Sequence, residues 1–161
     1  MKKILFIRHA KSAEMPGFTD GLRPLTPQGE KDANLLSKNF LIHDFSPQAV
    51  FSSNAKRALD TCKIFMENLG WPQDLLTVTE TLYDFYGDEL SGFIYGLDDE
   101  LDHIVLFGHN YAFTAMVNKL GDKYIDNVPT CGLVMIRFDQ CHWNHIGNGH
   151  TELTLFPKQL R

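Results

Sequence analysis

Two arginines and two histidines stand at points in this sequence where short apolar runs give way to polar residues. Arg8 and His9 follow Ile4-Leu5-Phe6-Ile7, Arg57 lies in SSNAKRALDT behind Ala49-Val50-Phe51, and His109 ends LFGH behind the apolar run from His103 to Phe107. Arginine supplies planar forks of N–H donors that match the oxygens of a tetrahedral oxyanion, and it stays charged when buried. A neutral imidazole held through one nitrogen can attack phosphorus with the other. Two such pairs together suit a dianionic phosphoryl group. His9 is the candidate nucleophile, Arg8 and Arg57 the clamp, and His109 a further contact. The arginines can carry the charge of the equatorial oxygens, so no metal or other cofactor is expected. No GxxxxGK[ST] motif and no convincing carboxylate pair for magnesium is present.

These residues must be brought together by the elements that precede them. Strands are expected at Lys3–Ile7, Ala49–Phe51, Leu75–Thr79 and His103–Phe107, and two closing strands at Gly132–Phe138 and Glu152–Phe156. Between them, Thr26-Pro27 reads as an N-cap and first helical turn of a helix to about Leu41, with Gly29 tolerated near its start. Ser53 or Asn54 can cap a second helix carrying Ala58, Cys62, Phe65, Met66 and Leu69 at helical spacing. Leu90, Phe93, Ile94 and Leu97 mark a third, and Asn110 to Leu120 a fourth. Alternating strands and helices predict an α/β domain over 1–161: a three-layer α/β/α sandwich with a mostly parallel central sheet and an antiparallel edge strand. In such sheets ligands bind beyond the carboxyl ends of the strands, where Arg8, His9, Ser53, Arg57 and His109 fall.

The formal charge of −5 argues against a general nucleic-acid binder, so any anion site is local. The apolar run after Met1-Lys2-Lys3 is shorter than a signal-peptide core, and no stretch approaches the length of a membrane span. Cys62, Cys131 and Cys141 are odd in number and widely spaced, which fits a reducing compartment; a cytoplasmic protein away from membranes is expected. CHWNHIGNGH matches no zinc spacing. It reads as strand, Asn148-Gly149 turn and strand, with Trp143 and Ile146 packed and His142, His145 and His150 at the surface.

Arg8-His9-Ala10-Lys11, SSNAKRALDT and LFGHN together resemble the histidine phosphatase superfamily, which includes the phosphoglycerate mutases. RPLTPQGEKDA and the order RHAKS, SSNAKRA, LYD, GHN are most similar to its SixA-like phosphohistidine phosphatase branch. The resemblance implies a phosphoglycerate mutase-like fold, with His9 as phosphate acceptor, Arg8 and Arg57 as clamp and His109 as second histidine. It also implies Arg23 near the pocket and Lys11 at its rim. The superfamily's usual Arg-His-Gly reads Arg-His-Ala here, which costs Ala10 some backbone freedom. Mutase-like members place a glutamate after the third strand as general acid. The nearest match here is Asp84 in LYDFYGDEL, with Glu80 and Asp88 close by, and Asp84 reads equally as a helix cap. Tyr83, Phe85 and Tyr86 are expected to pack or to line a pocket.

The expected activity is hydrolysis of phosphohistidine in a signalling or phosphotransfer protein through a phosphorylated His9. Rivals are a phosphatase of small phosphate esters and a phosphoprotein-binding module without turnover. A mutase needs a closed, dry pocket, for which the chain has little lid material.

Overall fold

The computed structural model describes all residues of the chain except Met15 and Phe18. Strand β1 (Lys2–Arg8) leads to helix α1 (Pro27–Phe40), followed by β2 (Ala49–Ser52), α2 (Lys56–Leu69), β3 (Leu76–Val78) and α3 (Asp88–Tyr95). Then come β4 (His103–Gly108), α4 (Ala112–Leu120), β5 (Leu133–Phe138), β6 (His150–Leu155) and the short α5 (Pro157–Leu160). The strands form one sheet in the order β3-β2-β4-β1-β5-β6. Pairings from β3 through β1 are parallel; β5 runs antiparallel to both β1 and β6, which makes that side of the sheet the antiparallel edge.

Period-two alternation distributes the core between the two faces. Leu5 and Ile7 of β1, with Val105 and Phe107 of β4, meet Ala33, Leu36 and Phe40 of α1 and Cys62, Phe65 and Met66 of α2. Ile4, Phe6, Ile104 and Leu106 point the other way, against Leu90 and Ile94 of α3 and Phe113, Met116 and Val117 of α4. Helices thus cover both faces, as a parallel sheet requires. No helix among the described residues is long and apolar enough to cross a membrane.

Three local expectations change. Helix α2 starts at Lys56 behind Ala55 and has no side-chain cap; the Ser53 hydroxyl instead accepts from the Ala55 N–H just outside the helix at 3.1 Å. Asn148-Gly149 is not a tight hairpin turn, because residues 139–149 join β5 to β6 and contain a short 3₁₀ turn at Trp143–His145. Trp143 and Ile146 are buried within that connection and the histidines are exposed, His142 and His150 each against an aspartate. Gly29 is more than tolerated: a Cβ there would lie 2.2 Å from the Lys11 carbonyl oxygen. Glycine therefore lets α1 dock beneath the loop that follows β1.

Candidate active site

Strands β2, β4 and β1 are neighbours and parallel, so their carboxyl ends present Ser53, His109 and His9 side by side. His9 is pinned from both sides: its N–H donates to the Gly108 carbonyl at 3.1 Å, and its carbonyl accepts from the Cys131 N–H at 2.9 Å. The next peptide is fixed as well, with the Ala10 N–H donating to Thr61 Oγ1 of α2 at 2.9 Å. Ala10 is fully buried and is not among the positive-φ residues, so alanine fits here without strain.

The His9 tautomer follows from its partners. Nδ1 lies 2.7 Å from the Ala10 carbonyl, which can only accept, so Nδ1 carries the proton and Nε2 the lone pair. Burial, followed by the charges of Arg57, Arg8 and Arg23, lowers the His9 pKa to about 3 despite the opposing bond to Ala10. His109 lies with its ring centroid 5.3 Å from that of His9, and burial, then His9 and Arg57, lower its pKa to about 2. Its Nε2 lies 2.8 Å from Ser53 Oγ, and it is stacked on Tyr83 and met edge-on by Phe85.

Arg57 is 2% exposed and sits between the two imidazoles, with Nε 3.4 Å from His9 Nε2 and Nη2 3.4 Å from His109 Nδ1. The rest of its fork is taken by Asp20, whose carbonyl accepts from Nη1 at 2.7 Å and whose Oδ2 accepts from Nη2 at 3.0 Å. Asp20 Oδ1 accepts from Arg23 Nε at 3.2 Å and Nη2 at 3.1 Å, and Oδ2 also accepts from the Tyr83 hydroxyl. Burial pushes the Asp20 pKa up, but the bonds from Tyr83 and Arg57 and the Arg57 charge outweigh it and hold it at about 2. Burial, then Asp20, raises that of Tyr83. Arg8 donates through Nη1 to the Val128 carbonyl at 2.9 Å, while its buried Nε has no partner among the described residues. Burial and then Arg57 lower the Arg8 pKa.

These groups border a pocket of about 800 Å³. Arg8, His9, Arg57 and His109 all line it, as do Arg23 and Lys11. The loop from Lys11 to Thr26 folds back on itself, Ala13 N–H to the Pro24 carbonyl and Thr26 N–H to the Lys11 carbonyl. That return brings Arg23 beside Ser12, which accepts from its Nη1 at 3.0 Å. Two expected residues are placed elsewhere. Ser53 lies behind His109 and does not line the pocket, so its contact is with the imidazole. Asp84 does not line it either: Oδ1 accepts from the Tyr86 N–H at 3.0 Å, and Oδ2 from the Gly87 and Leu90 N–H groups at 3.0 Å each. Three backbone donors turn this carboxylate into the clasp of the turn entering α3, where Gly87 takes φ +112°. Glu80 and Asp88 are exposed and outside the lining.

Asp20 and Arg161 line the pocket although nothing in the sequence singled them out. Asp20 lies in a Gly-containing stretch that reads as a turn, and only the folded loop sets it against Arg57. Arg161 is far from the motifs in sequence and returns to α1 through Asp32.

The sequence profile described as histidine phosphatase superfamily (branch 1) matches residues 4–93. No curated protein sequence matches the chain. Among solved structures, the protein histidine phosphatase SixA complexed with tungstate superposes with a TM-score of 0.83 at 20% identity, covering 99% of each chain. A candidate phosphohistidine phosphatase SixA from Agrobacterium tumefaciens gives 0.78 at 19% identity, over 97% of this chain and 98% of that one. A mycobacterial glucosyl-3-phosphoglycerate phosphatase gives 0.64 at 14% identity, over 95% and 98%.

Proposed function

Because the chain belongs to the histidine phosphatase superfamily, we propose that it is a phosphatase that works through a phosphorylated His9 and acts on phosphohistidine, in a signalling or phosphotransfer protein. In this reading the phosphoryl group sits among Arg8, Arg57 and His109, all of which line the pocket. The His9 Nε2 lone pair forms a bond to phosphorus as the P–N bond of the substrate breaks. The departing imidazole takes that electron pair and leaves neutral when its other nitrogen already carries a proton. Water then attacks phosphorus from the opposite side, the P–Nε2 bond breaks, and the water proton passes to phosphate or solvent. Between the two steps Nδ1–H stays on the Ala10 carbonyl, which keeps His9 in one tautomer.

His109 has a matching device. With Ser53 accepting, Nε2 carries the proton and Nδ1 accepts from Arg57; when the ligand takes up the Arg57 Nη2–H and the hydroxyl turns to donate to Nε2, the proton is carried on Nδ1, where it can meet a phosphoryl oxygen. A neutral His109 thereby becomes a donor to the ligand.

The observation that carries the choice of substrate is the Asp84 clasp. An alkoxide leaves poorly without a proton. The carboxylate expected to give one is engaged by three backbone N–H groups; of the two carboxylates that line the pocket, Asp20 is held ionised and Glu14 is exposed on the loop after β1. A phosphoramidate brings its own proton, so this arrangement favours a P–N bond over a sugar or glycerate ester. Wild-type protein is expected to release phosphate from phosphoramidate and to yield an acid-labile, base-stable phosphoryl label on His9. Undiminished turnover by His9→Ala would overturn the mechanism. Faster turnover of a panel of small phosphomonoesters than of phosphohistidine would overturn the substrate, and tight phosphate binding without hydrolysis would leave a binding module.

A further inference from the structure

The pocket mouth has an aromatic margin that the phosphoryl chemistry does not use. Phe85 lines the pocket against His109, and the chain beyond it runs along the start of α4, with the Tyr111 N–H donating to the Phe85 carbonyl at 2.9 Å and Gly87 against Ala112. This brings Tyr86, 85% exposed, and Tyr111, 59% exposed, to the surface beside the mouth. A bond from Asn110 to Asn127 at 2.7 Å draws residues 124–127 alongside, where Tyr124 is exposed as well. Among the described residues Leu22, Leu41 and Ile42 are also exposed elsewhere, but Phe85, Tyr86, Tyr111 and Tyr124 are the large aromatic side chains left in water. Scattered exposed apolar residues need no explanation, but a cluster continuous with a ligand pocket does.

Charge divides the mouth. The loop after β1 contributes exposed Lys11 beside exposed Glu14, half-exposed Arg161 also lines the pocket, and with Arg8, Arg23 and Arg57 the basic groups of the lining outnumber its two carboxylates, Glu14 and Asp20. The aromatic side is followed by exposed Asp88 and Glu89 in the first turn of α3. An acidic partner segment is attracted at the first place and repelled at the second.

We infer that Tyr86 and Tyr111, continuous with Phe85, form a docking surface for the polypeptide that carries the phosphohistidine, with apolar residues of that polypeptide on the tyrosines and its carboxylates toward Lys11. The inference rests on the phosphohistidine reading above and adds what recognises the protein around the phosphoryl group. His9 lies 7% exposed at the pocket floor, so a phosphohistidine attached there must bring its own backbone over this margin. Tyrosines at such a margin offer large contact area with little entropy to lose and are frequent anchors in protein interfaces.

The test uses two peptides of equal length, each phosphorylated on a single histidine with phosphoramidate. One carries Leu and Phe on one side of the histidine and Asp and Glu on the other; the second carries Ser, Gly and Lys. Wild-type kcat/KM is expected to favour the first by about tenfold. The double variant Tyr86→Ser/Tyr111→Ser, altered at exposed positions outside the pocket lining, is expected to lose that preference while hydrolysing phosphoramidate at the wild-type rate. A preference retained by the double variant, or no preference in the wild type, overturns the docking surface. So does a dimer in sedimentation that the double substitution dissociates, which would give the face to a second copy of the chain. Loss of phosphoramidate turnover in the wild type, or its persistence in His9→Ala, is a different result and removes the phosphatase reading itself.

Discussion

Inside the pocket, burial and neighbouring guanidinium groups hold His9 at about 3 and His109 at about 2, so both imidazoles are neutral at pH 7. The Nε2 lone pair that the proposed mechanism uses is therefore present without a base to create it. The same shifts couple stability to pH. Above the ordinary value of 6.5 neither histidine binds a proton in the folded or the unfolded chain, and the native state carries no penalty. Below it the unfolded chain takes up protons that the native sites refuse, so stability falls from pH 6.5 toward the folded values. The loss approaches about 1.4 kcal/mol per pH unit for each group as an upper bound. Urea unfolding of the wild type at pH 7, 6 and 5 is expected to show this decline, and His9→Gln/His109→Gln to flatten it; parallel declines would refute the assignment. In the proposed mechanism Asp20 works against the ligand, because it occupies Arg57 donors that the oxyanion would use. Asp20→Asn is expected to tighten inhibition by inorganic phosphate several-fold, roughly the worth of one charge-assisted hydrogen bond on a half-exposed residue. Weaker inhibition would mean that Asp20 positions Arg57 for the ligand instead. That Arg8, His9, Arg57 and His109 would gather at one pocket was legible because strand ends are where sheets place ligands; the place of Asp20 was not, since its partners come from a loop closure that no spacing encodes.

Among the elements, α3 is tied at its entrance by a single side chain. It is 8 residues long, and Asp84 gathers three N–H groups at its entrance, Tyr86, Gly87 and Leu90. As a buried acceptor of three bonds, Asp84 is worth more to the fold than an ordinary N-cap. Asp84→Ala is expected to cost about 2–3 kcal/mol, measured by urea unfolding, because two buried donors, Gly87 and Leu90, and the part-buried Tyr86 N–H lose their partner. Turnover of phosphoramidate per folded molecule should stay within a fewfold of the wild type. A hundredfold loss with unchanged stability would make Asp84 a proton donor after all. The sequence left Asp84 open between acid and cap because both roles ask for a carboxylate after the third strand; only the direction of its oxygens separates them. Strand and helix positions were readable from apolar periodicity, as in β1 and α2. The start of α2 was not, because Ser53 is drawn to His109 and the Ala55 N–H outside the helix. Gly29 looked like a tolerated helix glycine, and its close approach to the Lys11 carbonyl is a tertiary fact.

Across the whole molecule, the strand order β3-β2-β4-β1-β5-β6 converts separate motifs into one pocket. Alternation of strands and helices predicted a layered sheet, but it did not specify the insertion of β4 between β1 and β2. It is this insertion that sets His109 between the ends carrying His9 and Ser53. The remote end of the sequence is drawn into the same pocket: Arg161 Nε and Nη2 donate to the Asp32 carboxylate at 3.1 and 2.6 Å, and Asp32 lies buried in α1 with a further bond from Gln28 at 3.0 Å. Asp32 is thus a buried charge whose main counterion comes from 129 residues away. Removing the partner of a fully buried ion pair costs several kcal/mol; Arg161 is half exposed, water can replace part of it, and about 1–2 kcal/mol is expected for Arg161→Ala. Asp32→Asn in the Arg161→Ala background should recover part of that loss, since it removes the uncompensated charge. Urea unfolding of the four members of this cycle reads both numbers. If Arg161→Ala is neutral and the second change adds its own full cost, the pair does not hold the end of the chain to α1, and the Arg161 side of the pocket mouth owes its place to α5 alone.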